Sequence, residues 1–178
     1  MAVPGYTIRL SRRAEVARLP EIERQASQLF ASRAAELGLS SNPMWEMTSS
    51  VPVLLRANDD GRLWVAAGDQ GQLVGFALVK ELGLFAHLDE LDVLPAHGRQ
   101  GLGSALLEAV CEWASSRGFS AVTLSTFRDV AWNAPFYARR GFAVVPRAEL
   151  PPELLEIVAR ETERGLRSDL RVIMQREV

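Results

Sequence analysis

The sequence predicts an α/β (α+β) domain in which helices flank a mixed β-sheet, and three observations lead to this prediction. The chain has 178 residues, the size of one ordinary domain. Its apolar residues recur at helical spacing in some segments and alternate, as in strands, in others. A strand hairpin is followed by strand–helix–strand order, which requires antiparallel and parallel neighbours within one sheet.

The composition excludes several classes of protein. With 48% hydrophobic and 24% charged residues, the chain is globular rather than disordered. A net charge of −2 offers no basic excess for nucleic acid, and the longest apolar run, residues 73–79, is too short to span a bilayer. One cysteine and two histidines exclude an internal disulfide and argue against a zinc site. We therefore expect a cytoplasmic protein that binds neither nucleic acid, membrane nor metal.

The first 60 residues indicate one strand and one long helix. Tyr6 to Leu10 alternates as a strand. From Leu19 to Leu37 the apolar residues recur every three or four positions, which predicts an amphipathic helix that ends at Gly38. Prolines interrupt residues 39–60, where Val53 to Ala57 is a candidate second helix.

The rest of the chain indicates strands that alternate with helices. Arg62–Ala67 and Gln72–Lys80 form a predicted hairpin, and Leu84–Leu94 is a third extended run. After a cluster of glycines, a helix covers Leu102 to Trp113. The remaining predicted elements are a strand at Ala121–Ser125, a helix at Asn133–Arg139, a strand at Phe142–Val145, a helix at Pro151–Glu163 and a strand at Leu170–Gln175.

The glycine-rich turn before the Leu102 helix suits an anion such as pyrophosphate. Gly98, Gly101 and Gly103 let the backbone approach a ligand without interference from a Cβ atom. The first amides of a helix have no intrahelical partner, and the helix dipole adds positive charge there. The turn lacks the lysine of a P-loop and the third glycine of a dinucleotide fingerprint. The structural alternative is a turn that only starts the helix.

Two segments, in order, resemble the GCN5-related N-acetyltransferase (GNAT) superfamily. Leu91 to Val110 resembles its acetyl-CoA-binding segment, in which Val93-Leu94-Pro95 ends a strand and Gly101-Leu102-Gly103 opens a helix. Phe136 to Phe142 resembles its Tyr-x-x-x-Gly-Phe signature. Gly98 stands where the family pattern has its first Arg or Gln, which removes at most one side-chain contact. The order of elements agrees over nearly the whole chain.

The resemblance implies a single N-acetyltransferase domain over residues 1–178, with a mostly antiparallel acyl-CoA N-acyltransferase fold. It implies acetyl-CoA as co-substrate and a small-molecule or peptide amine as acceptor, but it does not name the acceptor. The residues that it implies for coenzyme binding are Leu91, Val93, Arg99, Gln100, Gly101, Leu102, Gly103, Ser104, Asn133 and Phe136.

The same resemblance implies that the amine attacks the thioester directly, assisted by a tyrosine acid and by a base that acts through a histidine or through water. Tyr137 corresponds to the tyrosine that protonates the departing thiolate, and a phenol with a pKa of about 10 suits that role. His87 and Asp89 fall where other members carry a base or a substrate-contacting residue. Strict alternation puts these two on one face of the strand and Glu90 and Asp92 on the other, whereas a bulge would exchange the faces. For His87, a structural pairing with Asp89 is the alternative.

Other residues have weaker indications. Asn133 either contacts the pantetheine arm or caps the helix that follows it. Trp132 is a candidate pocket wall, and the position of Cys111 within a helix indicates packing rather than a nucleophile. Residues 20–60 and 146–169 are expected to build the acceptor pocket, with candidate lining residues Trp45, Glu46, Arg56 and Trp64.

Two hypotheses compete with an enzyme. A non-catalytic acyl-CoA-binding sensor would need the glycine turn but neither Tyr137 nor His87. A structural α/β domain would bind no coenzyme A and would leave the two ordered motifs unexplained. Exposed edge strands, and a final strand that could pair with a neighbouring copy, leave a homodimer open.

Overall fold

A computed structural model describes residues 3–39 and 48–178. Its strands are β1 (Tyr6–Leu10), β2 (Leu63–Gly68), β3 (Leu73–Leu82), β4 (Phe85–Val93), β5 (Ala121–Phe127), β6 (Ala143–Val144) and β7 (Arg171–Glu177). Its α-helices are α1 (Leu19–Ser27), α2 (Val51–Asp59), α3 (Leu102–Ser116), α4 (Ala134–Ala138) and α5 (Pro152–Glu163). The strands form one sheet in the order β1-β2-β3-β4-β5-β7-β6, antiparallel throughout except for the parallel pair β4 and β5. The predicted mixed, mostly antiparallel sheet flanked by helices is confirmed.

The first predicted helix is shorter than its periodicity suggested. The α-helix ends at Ser27, and Gln28–Arg33 forms a 3-10 helix instead. No residue of this 3-10 segment is buried, so packing does not hold it in α geometry. The predicted turn at Gly38 is present, because its φ is 70° and the N–H of Leu39 donates to the carbonyl of Ala34 at 2.7 Å.

The final strand is paired on both sides within the chain, so the expectation that it could pair with a neighbouring copy is wrong. β7 pairs with β5 along Arg171–Glu177 and with the two-residue β6 on its other side. Its residues Val172, Ile173 and Met174 are all buried, which is typical of a strand covered on both faces. The two edges of the sheet are therefore β1 and β6.

Helices cover both faces of the sheet. α3 and α4 pack on one face, here called the α3 face, in a core that includes Leu88 and Leu106. α1 and α2 cover the opposite face, called the α1 face, around Phe76 and Leu78. α5 lies on the same α1 face further along the sheet, where its apolar residues pack against Ile173 of β7.

A β-bulge in β4 determines which of its side chains share a face. In the pairing with β3, Leu88 lies opposite Val79 and Glu90 lies opposite Leu78, so Asp89 is the extra residue. Residues directly opposite one another in antiparallel strands point to the same face. The faces of β4 therefore shift by one residue at Asp89.

The bulge follows from the spacing of apolar residues in β4. Leu88, Leu91 and Val93 all pack on the α3 face. The step of three residues from Leu88 to Leu91 breaks strict alternation, so one residue must be extra. Without the bulge, Glu90 and Asp92 would point into the apolar core under α3, where unpaired carboxylates are costly.

Candidate active site

The sheet is split between β4 and β5. Their pairing stops where Leu88 meets Leu124, although β4 continues to Val93 and β5 to Phe127. The bulge at Asp89 follows this last pair immediately, and a bulge bends the strand that carries it. The facing edges beyond the pair diverge, and the resulting gap connects the two faces of the sheet.

The glycine turn joins the end of β4 to the start of α3. Gly101 precedes the helix with a φ of 89°, a left-handed conformation that glycine adopts without strain. The N–H of Ala105 donates to the carbonyl of Gly101 at 3.0 Å. The N–H groups of Leu102, Gly103 and Ser104 come earlier in the helix and have no carbonyl one turn before them. This geometry fits the predicted anion site.

Arg99 and Gln100 are exposed in the same turn. Arg99 has a φ of 60°, which is uncommon outside glycine and costs roughly 1 kcal/mol or more. This conformation leaves both side chains on the surface beside the free amides of α3. Both are accessible to an anion that occupies the turn.

Arg140 brings another cation to the start of α3 and was not singled out from the sequence. Its Nε donates to Oγ of Ser104 at 2.8 Å, and its Nη1 donates to the carbonyl of Phe136 at 2.8 Å. Its Cζ lies 3.7 Å from the centroid of the Phe136 ring, a cation–π contact. The available sequence signal was its position directly before the Gly-Phe pair of the second motif.

Further predicted coenzyme contacts lie along the gap. Leu91 and Val93 pair with β3 on one side, and their other edge faces the gap. Phe136 of α4 packs against the glycine turn, because a Cβ atom on Gly103 would lie 3.4 Å from its ring. β4, α3 and α4 therefore converge at the turn.

Asn133 is held by β5 and does not cap α4. Its Nδ2 donates to Oγ1 of Thr126 at 2.7 Å, and its side chain makes no capping bond, so the capping alternative is wrong. Its Oδ1 is buried without a hydrogen-bond partner in the described part of the chain. Because a buried unpaired amide oxygen is costly, this atom is available to a donor on a ligand in the gap.

Tyr137 is buried on α4, on the α3 face. Its ring makes edge contacts with Phe136 and Phe142, at centroid distances of 5.0 and 5.8 Å. Burial raises the pKa of its phenol, and the charges of Asp92 and Glu90 raise it further. The phenol therefore carries its proton throughout the neutral pH range.

His87 lies on the α1 face with 2% of its surface exposed. Its Nδ1 is 3.0 Å from Oγ1 of Thr123 in the neighbouring strand. Burial lowers the pKa of His87 to about 4, although Asp89 and Glu161 act in the opposite direction. At neutral pH the imidazole is uncharged and a weak proton acceptor.

Asp89, the bulge residue, forms an ion pair with Lys80, the only lysine of the chain. Nζ of Lys80 lies 2.7 Å from Oδ1 of Asp89. Since Lys80 lies opposite His87 in β3, the contact turns the Asp89 side chain toward the α1 face. The carboxylate is thus already engaged by a cation.

The predicted separation of His87 from Glu90 and Asp92 is wrong, because the bulge brings all three to the α1 face. Each lies opposite a β3 residue that points to that face, and these partners are Lys80, Leu78 and Phe76. The alternative considered from the sequence, a bulge in this strand, is confirmed. The spacing from Leu88 to Leu91 was the signal that could have decided it.

Glu23 of α1 joins Glu90 and Asp92 in a cluster of three carboxylates. Both of its oxygens accept the N–H of Ser49, at 2.9 and 3.0 Å. Burial raises the pKa of Glu23, and it raises those of Glu90 and Asp92 well above their ordinary values, with mutual repulsion adding to the effect. Oδ2 of Asp92 is buried and has no hydrogen-bond partner within residues 3–39 and 48–178. Carboxylates of raised pKa are stronger proton acceptors than ordinary ones.

Of the candidate lining residues of the acceptor pocket, Trp64 and Arg56 do not come together. Trp64 is buried under α3, 5.4 Å from Trp113 between ring centroids, whereas Arg56 is exposed on α2. Trp132 is 42% exposed beside α4. Trp45 and Glu46 lie outside the described residues.

Cys111 is buried in α3, where burial raises the pKa of its thiol to about 11, so it packs as an un-ionised thiol.

In the described residues, no group of three His, Cys, Asp or Glu side chains could hold a metal ion. Across residues 3–39 and 48–178, every helix is too short or too polar to cross a membrane.

Comparison with known proteins relates the chain to acetyltransferases. The family described as "Acetyltransferase (GNAT) family" matches residues 30–142. Streptothricin acetyltransferase of Streptomyces lavendulae is 33% identical over 86 residues, which are 47% of this chain and 46% of that protein. The match therefore spans less than half the length of that relative.

Solved structures share the fold at low sequence identity. PaiA N-acetyltransferase from Thermoplasma acidophilum, in complex with coenzyme A, has a TM-score of 0.67 at 18% identity over 100% of both chains. The ribosomal-protein-S18-alanine N-acetyltransferase from Escherichia coli has a TM-score of 0.63 at 20% identity, covering 97% of this chain and 94% of that one. These similarities concern the fold.

Proposed function

Because this chain belongs to the acetyltransferase (GNAT) family, we propose that it transfers an acetyl group from acetyl-CoA to an amine. The observation that carries this function is the gap between β4 and β5. On the α3 face the gap is bordered by the glycine turn and Tyr137, and on the α1 face by Glu90 and Asp92. A reaction between two substrates that enter from opposite faces fits this arrangement.

The coenzyme is proposed to bind on the α3 face. The free amides of Leu102, Gly103 and Ser104 suit its pyrophosphate, and Arg99 and Arg140 would add positive charge. Gln100 and the main-chain edge of Leu91 and Val93 are also proposed contacts, together with Phe136 and the unpaired Oδ1 of Asn133. When bound, acetyl-CoA supplies the activated acyl group.

Tyr137 is the proposed acid. A thiolate must be protonated as it leaves, and a phenol that keeps its proton at neutral pH can supply it. Its ring is held by contacts with Phe136 and Phe142, near enough to β4 for the charges of Asp92 and Glu90 to act on its phenol. The raised pKa of Tyr137 supports a proton donor rather than a nucleophile.

His87, Asp89 and Glu90 are the candidates for the base, and the observations favour Glu90. The pKa of His87 is lowered to about 4 by burial, and Asp89 is engaged by Lys80. Glu90 has a raised pKa, faces the gap side of β4 beyond the last pair with β5, and has Asp92 two residues away on the same face. An acceptor arrives as an ammonium ion, so two carboxylates would both attract it and take its proton.

A non-catalytic acyl-CoA-binding module is the second candidate. It would use the same turn but would have no need for a buried tyrosine and carboxylates of raised pKa on opposite sides of one gap. Perturbed ionisable groups of this kind cluster at catalytic sites. A cytoplasmic location, a single domain over residues 1–178 and a homodimer stay predictions.

The proposed function is tested first by titrating the protein with acetyl-CoA and following its melting temperature. A ligand that binds only the native state stabilises it by about 2.7 kcal/mol at a hundredfold excess over Kd. We expect a rise of several degrees, and then release of free thiol when amines are added. No rise at millimolar acetyl-CoA would refute the proposal.

The acid is tested by Tyr137→Phe, with Tyr6→Phe as the matched control. Tyr6 is the other tyrosine of the chain, and its hydroxyl contacts Nδ1 of His97 at 2.7 Å. We expect Tyr137→Phe to lower kcat about a hundredfold with an unchanged Kd for acetyl-CoA, and Tyr6→Phe to keep kcat. Equal turnover in the two variants would remove Tyr137 from the mechanism.

A further inference from the structure

A cavity of about 250 Å³ lies under α5 on the α1 face of the sheet. Its walls come from β5, β7, α5 and the segment after β6, with lining residues Ser125, Val145, Leu150, Glu161 and Arg171 among them. Pockets for small molecules have volumes of roughly 300–1,000 Å³, so this cavity suits a compact ligand or part of one. Neither motif of the sequence includes any of its lining residues.

The floor of the cavity is a closed polar network. Nη2 of Arg171 donates to Oε1 of Glu161 at 2.8 Å, and its Nε donates to Oε2 at 3.0 Å. Oγ of Ser125 donates to the same Oε2 at 2.7 Å. Opposite charges cancel in this network, so it orders the floor without adding net charge.

Two exposed arginines lie at the mouth of the cavity. Arg128 and Arg147 line the cavity and are exposed. Within residues 3–39 and 48–178, neither guanidinium lies within 4 Å of a carboxylate oxygen; Arg128 is near enough to lower the pKa of Asp169, but that carboxylate is paired with Arg167. The cavity therefore has a positive mouth above a neutral floor, which favours an anionic group.

The cavity borders the gap in the sheet. Ser125, in its lining, is the first residue of β5 beyond the last pair with β4, and it shares a face with Thr123 and His87. Arg171 and Glu161 are near enough to change the pKa of His87, and Arg171 also acts on Tyr137. The positive cavity and the carboxylates of β4 thus lie on the same face, on opposite sides of one gap.

We propose that this cavity holds the anionic group of the acceptor, which is a small amine that also carries a carboxylate or a phosphate. The inference rests on the proposed acetyl transfer. The ammonium group of such a compound would lie toward Glu90 and Asp92, and its anionic group toward Arg128 and Arg147. A polyamine would bring a second positive charge against the two arginines, so polyamines are disfavoured.

The proposal is tested with matched acceptors that differ in the anionic group. L-Lysine is compared with cadaverine, L-phenylalanine with phenethylamine, and O-phosphoethanolamine with ethanolamine. Initial rates of thiol release from acetyl-CoA give kcat/KM for each compound. We expect at least one compound that carries the anionic group to exceed the kcat/KM of its partner without that group tenfold or more, and the comparison of the first two pairs with the third separates carboxylate from phosphate. Equal values within every pair, or no turnover of any anionic amine, would overturn the inference.

Variants then locate the recognition. Arg128→Gln and Arg147→Gln are expected to raise KM for the preferred anionic acceptor about tenfold or more, with kcat and the Kd for acetyl-CoA unchanged. Arg128→Lys is expected to restore part of the loss, because it keeps the charge. Arg18→Gln is the control, since Arg18 is exposed and does not line the cavity. A KM in both variants equal to that of Arg18→Gln would also overturn the inference.

This experiment separates the inference from the function on which it rests. If acetyl-CoA raises the melting temperature and amines without an anionic group react as well as those that carry one, acetyl transfer stands and anion recognition is wrong. If acetyl-CoA neither stabilises the protein nor reacts with any amine, the proposed function itself fails.

Discussion

On the α3 face, the groups proposed to bind acetyl-CoA come from two short segments of the chain, whereas the groups on the α1 face come from five separate elements. Leu91 to Ser104, from the end of β4 to the first turn of α3, supplies one segment, and Asn133 to Arg140 supplies the other. The α1 face combines β4, α1, β5, α5 and β7.

This difference reflects what each half of the proposed site must bind. The α3 half, on the α3 face, is the coenzyme half, and the α1 half, on the α1 face, is the acceptor half. Free amides at a helix start and a glycine of left-handed φ are local backbone properties, so a short motif is enough to specify them. Side chains that gather around an acceptor depend on strand register and on long-range packing. The coenzyme half is therefore recognisable from sequence, and the acceptor half depends on the tertiary structure.

The largest effect is expected from a substitution that disrupts coenzyme binding in the α3 half and leaves the α1 half unchanged. Gly101→Val is expected to lower acetyl-CoA affinity about a thousandfold, because loss of two or more charge-assisted amide bonds costs roughly 1.5–3 kcal/mol each. Gly71→Val is the matched control, since Gly71 has a φ of 77° in the β2–β3 turn and nothing within 4 Å of a Cβ atom. Both variants should lose about 1–2 kcal/mol of unfolding free energy in urea. Calorimetric titration that shows wild-type affinity in Gly101→Val would contradict the assignment.

A second test concerns the α1 half and uses pH. The folded-state pKa of His87 is lowered from 6.5 to about 4 by burial, so between these values the unfolded chain takes up a proton and the folded chain does not. The stability from the neutral imidazole is full above pH 6.5 and falls as the pH drops to about 4. We expect the free energy of unfolding of the wild type to fall by about 3 kcal/mol relative to His87→Gln over this range. Parallel pH curves for the two proteins would show that His87 does not titrate as stated.

A third test asks which residue of the α1 half acts as the base. Glu90→Gln is expected to lower kcat about a hundredfold, because the ammonium of the acceptor loses its proton acceptor, whereas His87→Gln should lower kcat less than tenfold. Glu81→Gln is the control, since Glu81 is an exposed carboxylate of β3. Steady-state rates of thiol release give all three values. A larger loss in His87→Gln than in Glu90→Gln would return the role to His87.

The smallest effect is expected from Lys80→Met. The pair with Asp89 is partly exposed, with side-chain exposures of 37% and 22%, so its loss should cost no more than about 1 kcal/mol. Lys80 also lowers the pKa of Glu90, so its removal should move the acidic limb of the kcat/KM profile to higher pH. A pH–rate profile that does not move would mean that Glu90 does not respond to this charge.

Sequence alone predicted the order of strands and helices, the glycine turn and the position of Tyr137, because each depends on local periodicity or on one motif. It placed Glu90 and Asp92 on the wrong face under strict alternation, since a single bulge reverses the parity of every later residue. The partners that complete the α1 half could not be predicted. Glu23 meets Ser49, and Arg171 meets Glu161, only through packing between elements that no local pattern connects.

The bulge at Asp89 has a consequence for how this strand tolerates changes in length. Deletion of Asp89 would leave Leu88 and Glu90 opposite the same two residues of β3, so every other side chain of β4 would keep its face. Besides the ion pair with Lys80, the deletion would remove the bend, and a straight β4 would be free to continue its ladder with β5. A loss of one codon at this point would then seal the opening through which the two substrates are proposed to meet. The gap between β4 and β5 therefore depends on one extra residue in β4 and not on the identity of the side chains that line it.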